Sequence, residues 1–272
     1  MSNFLYGAQV NANGIRQHYL RYAKPQTGNN QQQLLLIPGI TSPAVTWGFV
    51  AERLAEHFDT YVLDVRGRGL SQTGPELNYD ADSCADDIVE LAKALELEDF
   101  VILGHSMGAR FITRALARGL TGVSQAVLVD PPVSGPNRRA YPSKLPWYVD
   151  SIRQSNIGMS AEDMLAFCPT WTLEQRQLRA QWLHTCYEPA IVKAFNDFHD
   201  DDFHQDLPKV TVPSVLMVAG KGGVIEPSDE SEIAELMPNV TLCHVENAGH
   251  MIPWDDFDGF FAALNETQVI PQ

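Results

Sequence analysis

Short, continuously apolar runs recur along the chain, separated by longer stretches in which apolar residues return every three or four positions. The runs are Gln33 to Pro38, Thr60 to Val65, Phe100 to Gly104, Gln125 to Asp130, Ser214 to Ala219 and Val240 to Val245. Their length and β-rich composition predict strands, and strands alternating with helices predict a mostly parallel sheet. No polar residue interrupts Leu34-Leu35-Leu36-Ile37 or Ala126-Val127-Leu128-Val129. A strand apolar on both faces needs helices on both sides, which places these two in the middle of the sheet. Upstream, Tyr6 to Val10 and Ile15 to Tyr22 flank Asn13-Gly14. That pair supplies the positive φ of a tight turn, so an antiparallel hairpin is expected at one sheet edge. Asn29-Asn30-Gln31-Gln32-Gln33 is expected to be a polar loop before the first parallel strand.

The alternation lapses between about Gly135 and Gln205, where Trp147, Trp171 and Trp182 sit among helical patterns and several prolines, and it resumes at Val210. A core over 1–135 and 206–272, interrupted by a helical cap over 136–205, is the expected division.

Composition narrows the field. Of the 272 residues 44% are hydrophobic, and 19 Lys and Arg face 34 Asp and Glu for a net charge of −15. A surface this acidic repels phosphate backbones and anionic headgroups, so neither nucleic acid nor a membrane surface is an expected partner. The segment Met1 to Val10 lacks a basic flank followed by an apolar stretch, and no run approaches the roughly 18 residues of a membrane span. A soluble, cytoplasmic protein is expected. Cys84, Cys168, Cys186 and Cys243 are scattered, as suits reduced thiols packed as small hydrophobes.

The sharpest chemical signal is Gly104-His105-Ser106-Met107-Gly108, set between the apolar run Phe100 to Leu103 and a helical pattern from Ala109 onward. It fits the nucleophile elbow G-x-S-x-G, in which flanking glycines allow a turn tight enough to hold the serine hydroxyl above the sheet. Serine needs an imidazole base, which follows it later in chains of this order. Of the eight histidines, His250 lies in Asn247-Ala248-Gly249-His250 just after the last apolar strand. That position puts it on a loop at the same sheet edge as Ser106.

With these motifs, the chain resembles the α/β-hydrolase superfamily over nearly its whole length. The likeness rests on Pro38-Gly39-Ile40, on Asp64-Val65-Arg66-Gly67-Arg68-Gly69-Leu70-Ser71, on the elbow and on Gly249-His250. It implies a mostly parallel central sheet with helices on both faces and an inserted helical cap, with Asp64 and Arg66 shaping a turn. It also implies an oxyanion hole formed by the backbone N–H groups of Ile40 and Met107. One departure concerns the acid of the triad. The loop after the penultimate strand, which carries a carboxylate in the commonest pattern, reads Gly220-Lys221-Gly222-Gly223. Asp130, at the end of Val127-Leu128-Val129-Asp130-Pro131-Pro132, offers a carboxylate at another strand tip. Glu226 and Asp229 remain alternatives, as do a Ser-His dyad and a purely turn-forming role for Asp130.

Longer stretches narrow the resemblance: Val129 to Pro136, Arg138 to Tyr148, Trp182 to Pro189 and Asn247 to Asp256 are similar to the N-formylmaleamate deformylases of bacterial nicotinate degradation. The resemblance implies hydrolysis of N-formylmaleamate to maleamate and formate by Ser106, Asp130 and His250, with no metal or organic cofactor. A small-ester or C–C bond hydrolase with the same triad is the alternative enzyme, and a ligand-binding protein that has lost catalysis is the alternative outside enzymes.

A substrate carrying a carboxylate calls for a cation. From Pro131 to Ser155 the chain holds Arg138, Arg139, Lys144 and Arg153 against Asp150 alone, a net of 4 − 1 = +3. Arg138 and Arg139 are the expected readers, since a guanidinium matches a carboxylate bidentately, with Tyr141, Trp147 and His184 as neutral wall donors. Arg110 competes, although it also suits a structural ion pair, and the whole cluster suits a solvated surface equally well. His199-Asp200-Asp201-Asp202-Phe203-His204 could hold a metal but reads as an acidic solvated loop. Asp80, Asp82, Asp86 and Asp87 suit the start of a helix, where negative charge meets the dipole.

Overall fold

The computed structural model describes residues 2–24 and 31–270. Strands β1 (Phe4–Ala12) and β2 (Ile15–Tyr22) form the hairpin around Asn13-Gly14, followed by β3 (Gln33–Ile37), α1 (Gly48–Leu54), β4 (Asp59–Asp64) and α2 (Ala81–Ala94). Next come β5 (Phe100–His105), α3 (Met107–Ala117) and β6 (Val123–Val129), then α4 (Leu145–Asn156), α5 (Leu173–Trp182) and α6 (Glu188–Asp200). The chain closes with β7 (Ser214–Ala219), α7 (Pro227–Leu236), β8 (Val240–Val245), α8 (Ile252–Asp255) and α9 (Phe257–Glu266). The eight strands lie in the order β1-β2-β4-β3-β5-β6-β7-β8. The β1·β2 and β2·β4 pairs are antiparallel and the remainder parallel.

The uninterrupted apolar strands divide their side chains between two cores, as the alternation of a pleated strand requires. Leu35, Ile37, Ile102 and Leu128 point to the face covered by α2 and α3, together with Phe198 and Leu183 from the segment between β6 and β7. Leu34, Leu36, Val101, Leu103, Val127 and Val129 point to the face closed by Trp47, Leu54, Phe260 and Leu264. Between β6 and β7 the described chain is helical and turning, without a strand.

Several strand boundaries differ from the sequence expectation, mostly by one or two residues. β1 begins at Phe4, whose side chain is exposed with Leu5 and Tyr6, because hairpin pairing rather than burial sets its length. β6 stops at Val129 rather than Asp130, whose φ of 44° takes it out of extended geometry. In the polar Asn29–Gln33 stretch, Asn29 and Asn30 lie outside the described residues, and Gln33 opens β3 as the expected strand run has it.

The acidic residues near α2 have more specific work than complementing a dipole. Asp80 caps the helix by accepting from the Ser83 N–H at 2.7 Å. Asp82 pairs with Arg114 and Asp86 with Arg118. Asp87 is buried and takes two bonds of 2.6 Å from Arg66, and burial still holds its carboxyl above the usual range. The other charged member of that turn, Asp64, accepts from the Ala44 N–H at 2.6 Å and the Leu70 N–H at 3.0 Å and contacts His18 Nδ1 at 2.7 Å. Both carboxylates fasten the loop beside the site.

Candidate active site

The C-terminal tips of β5, β6 and β8 share one edge of the sheet, where a parallel α/β sheet presents its ligand-binding crevice. β5 delivers Ser106, which adopts φ 54° and ψ −119° at the N-terminus of α3. Left-handed backbone at a non-glycine residue costs energy and persists where the surroundings fix it. They do so here because a Cβ at Gly104 would meet Gly108 C at 2.6 Å, and one at Gly108 would run into the Ile37 carbonyl. Strand and helix thus close to backbone contact around the serine. As the first residue of α3, Met107 contributes an N–H without an intrahelical acceptor.

His250 follows β8 on a loop held from several sides. The Gly249 N–H donates to Asp255 Oδ2 at 3.0 Å, the Lys221 N–H donates to the Ala248 carbonyl at 2.8 Å, and His105 Nε2–H donates to the His250 carbonyl at 2.8 Å. Only a protonated nitrogen can face a carbonyl, so His105 carries its hydrogen on Nε2. Burial pushes its pKa down to about 3, which keeps the ring neutral.

So placed, His250 bridges two side chains: its Nε2 lies 3.0 Å from Ser106 Oγ and its Nδ1 lies 2.6 Å from Asp130 Oδ2. Asp130 is 0% exposed and also accepts from the Val224 N–H at 3.1 Å. The loop glycine explains how a carboxylate from β6 reaches this spot. A Cβ at Gly223 would sit 2.9 Å from Asp130 Oδ1 and 3.0 Å from Oδ2. The volume that a side chain would claim after β7 is filled by the acid from the neighbouring strand. Glu226 and Asp229 lie instead at the start of α7, where each bonds the other's backbone in a capping box and both meet Arg139.

These groups open on a cavity of about 390 Å³, within the range of small-molecule sites. Ile40, Thr41, Ser106 and His250 line it from the sheet edge; Tyr141, Trp147, Tyr148, Phe167, Cys168, Trp171 and Arg179 line it from the segment between β6 and β7. The Ile40 N–H has no acceptor among the described residues. Beneath that loop, Arg68, 1% exposed, donates to the Ile40 carbonyl at 3.0 Å. Tyr141 Oη lies 3.5 Å from His250 Nε2 and 3.3 Å from Tyr148 Oη. Burial holds the Tyr141 pKa well above its ordinary value, leaving a neutral hydroxyl. The Cys168 thiol is also pushed up by burial, which disfavours a thiolate.

The expected carboxylate readers fall elsewhere. Arg138 forks onto Glu232 at 2.7 and 2.8 Å, Arg139 pairs with Glu226 and Asp229, and Arg153 pairs with Glu188. Lys144 and His184 are exposed and outside the cavity lining. Arg110 is buried and donates to the carbonyls of Pro132, Ser134, Asp197 and Asp201. Burial lowers its pKa to about 10, and its role is to fasten α6 to the sheet edge. In the His199–His204 stretch, Asp201 pairs with Arg114 and His199 Nε2 accepts from the Tyr141 N–H at 3.3 Å.

The cation that does line the cavity, Arg179, was not anticipated. It was legible in part. Gln175, Arg176, Trp182 and Leu183 occupy its helical neighbour positions, so no carboxylate is within reach along its own helix.

Comparison with known proteins agrees with the geometry. A family profile described as alpha/beta hydrolase fold matches residues 33–257. The chain belongs to this family. An N-formylmaleamate deformylase of Pseudomonas putida is 65% identical over 266 residues, covering 98% of this chain and 97% of that protein. The crystal structure of an N-formylmaleamic acid deformylase from Pseudomonas putida superposes with a TM-score of 0.90 at 54% identity, covering 95% of this chain and all of that one. An E-2-(acetamidomethylene)succinate hydrolase structure shares the fold at 20% identity, with a TM-score of 0.76 and coverage of 97% and 98%.

Proposed function

We propose that this protein is a serine amidohydrolase that cleaves N-formylmaleamate to maleamate and formate, a step of nicotinate breakdown. The observation that carries the chemistry is the bridge made by His250 between Ser106 Oγ at 3.0 Å and Asp130 Oδ2 at 2.6 Å. The substrate assignment is supported by the 65% identity to a deformylase along almost the full length of both chains.

In the first half-reaction His250 Nε2 takes the Ser106 proton as Oγ attacks the formyl carbon. The developing oxyanion is received by the N–H groups of Ile40 and Met107, each such donor being worth about 3 kcal/mol. Asp130 fixes the imidazole with its hydrogen on Nδ1 and stabilises the imidazolium without taking a proton. Collapse breaks the bond from formyl carbon to nitrogen, and His250 returns the proton to the departing nitrogen. The second acyl group on that nitrogen withdraws electron density and eases its departure. Water, activated by the same imidazole, then attacks the formyl-serine ester and releases formate.

Residues 136–205 act as an inserted helical cap over a core of 1–135 and 206–272. This division is supported by the Tyr141, Trp147, Tyr148 and Arg179 side chains that this segment adds to the cavity wall. No described helix is long and apolar enough to cross a membrane. A cytoplasmic site of action is supported by four free thiols, Cys84, Cys168, Cys186 and Cys243. An acidic protein of charge −15 suits a small-molecule substrate better than a nucleic acid. Product analysis tests the assignment: N-formylmaleamate is expected to yield formate and maleamate in equal amounts. Formamide and maleate would mean attack on the other acyl carbon, and hydrolysis of simple esters alone would support an esterase.

A further inference from the structure

Ser106 and His250 break the bond, but neither distinguishes an amide bearing a carboxylate from a neutral one. Arg179 is placed to do so. The residue is 4% exposed on α5 and lines the same cavity as Ser106. Its Nη groups donate to Thr41 Oγ1 at 2.8 Å and to the Thr41 carbonyl at 3.3 Å. Its Nε has no hydrogen-bond partner among the described residues. The guanidinium carbon lies 5.5 Å from the Trp147 ring and 5.7 Å from the Trp171 ring, so aromatic walls hold it on two sides.

The charge pairing around Arg179 is incomplete. Arg138, Arg139 and Arg153 each have a carboxylate, whereas Arg179 has no ion pair among the described residues. Asp255 lines the cavity as well, but its bond goes to the Gly249 N–H. A buried cation without a counter-charge is disfavoured unless something pairs with it. A guanidinium presents five N–H donors, and two are used on Thr41, which leaves a fork for a carboxylate.

We propose that Arg179 reads the carboxylate of the substrate, clamped between Trp147 and Trp171, and that the enzyme thereby selects anionic acylamides over neutral ones. The proposal rests on the deformylase reading for the identity of the anion. Thr41, which Arg179 holds, directly follows Ile40, so anion binding is coupled to the loop that carries one oxyanion donor.

The test compares Arg179→Met and Arg179→Lys with the wild type on N-formylmaleamate and on neutral 4-nitrophenyl acetate. The ratio of the two kcat/KM values is expected to fall about 100-fold in Arg179→Met and about 10-fold in Arg179→Lys, which keeps the charge but loses the fork. Equal losses on both substrates would overturn the proposal and assign Arg179 to packing. A second measurement needs only the wild type, and so decides even if Arg179→Met does not fold. Maleamate should protect Ser106 from a fluorophosphonate probe at least about 10-fold better than maleamide, its uncharged counterpart. Protection by the two at the same concentration would overturn the proposal. If the wild type released no formate from N-formylmaleamate while maleamate still protected selectively and Arg179→Lys weakened that protection, the deformylase reading would fall and the anion site would stand.

Discussion

Asp130→Asn removes one charge at the buried end of the His250 bridge and changes little else in volume. Oδ2 of Asp130 accepts from both His250 Nδ1 at 2.6 Å and the Val224 N–H at 3.1 Å, while Oδ1 has no partner among the described residues. An asparagine that keeps its oxygen toward His250 buries an unsatisfied NH₂ beside Gly223. Turned over, it sets a donor against two donors and drives the imidazole to the wrong tautomer, so neither orientation restores the native arrangement. The electrostatic loss has a definable size. An imidazolium and a carboxylate with charge centres about 3–4 Å apart attract by about 4–6 kcal/mol at an effective dielectric of 20. That equals three to four decades in rate at about 1.4 kcal/mol per decade, consistent with the fall of about 10⁴ seen when a triad acid becomes its amide. The assay is formate release at saturating N-formylmaleamate. Glu226→Gln and Asp229→Asn supply the comparison, because both carboxylates sit in the α7 capping box beside Arg139 and each is expected to change turnover less than about twofold. The reverse ranking, with Asp130→Asn near wild type and either of the others inactive, would refute the assignment.

Two further consequences follow from the packing around the triad. Gly223→Ala places a Cβ 2.9 Å from Asp130 Oδ1 and 2.7 Å from the Ala219 Cβ. It should lower kcat by about 10- to 100-fold with KM little changed, as expected when a catalytic group is displaced by a fraction of an ångström; steady-state kinetics read this split. His105 titrates near pH 3 in the folded protein and near 6.5 when unfolded, so between those values the unfolded chain binds the extra proton. Stability is therefore lost as pH falls through that window, by up to about 1.4 kcal/mol per unit from this group. His105→Gln keeps a donor but does not titrate. Urea melts at several pH values should show a shallower slope for the variant below pH 6.5.

The sequence disclosed those features whose cause is local. A strand buried on both faces has to be apolar at every position, which is why Leu34–Ile37 and Ala126–Val129 mark the centre of the sheet. Close backbone approach at the elbow demands glycine at 104 and 108, and Ser106 stands out between them. Gly223 was informative as an absence: the usual place for the acid was empty, and the nearest alternative strand tip was Asp130. Pairings across the fold were not legible. Summing charges over Pro131–Ser155 gave a cationic patch, yet the carboxylates that cancel it come from Glu188, Glu226, Asp229 and Glu232, all more than thirty positions downstream of their partners. Arg179 stood outside that patch, and its significance lies in what fails to pair with it. Asp87 shows the same limitation, since its burial depends on Arg66 arriving from another loop.

The central claim is that Ser106 attacks the formyl carbon. The measurement that tests it most directly is formate release from N-formylmaleamate by Ser106→Ala beside the wild type, with circular dichroism to confirm that both are folded. Alanine preserves the small side chain at the turn and removes the nucleophile, so the rate should fall by about 10⁶, leaving only the residual of about 10³–10⁴ over the uncatalysed reaction that the oxyanion donors and substrate binding supply. A folded Ser106→Ala protein that still released formate within about tenfold of the wild-type rate would contradict the covalent mechanism and require another nucleophile in the cavity.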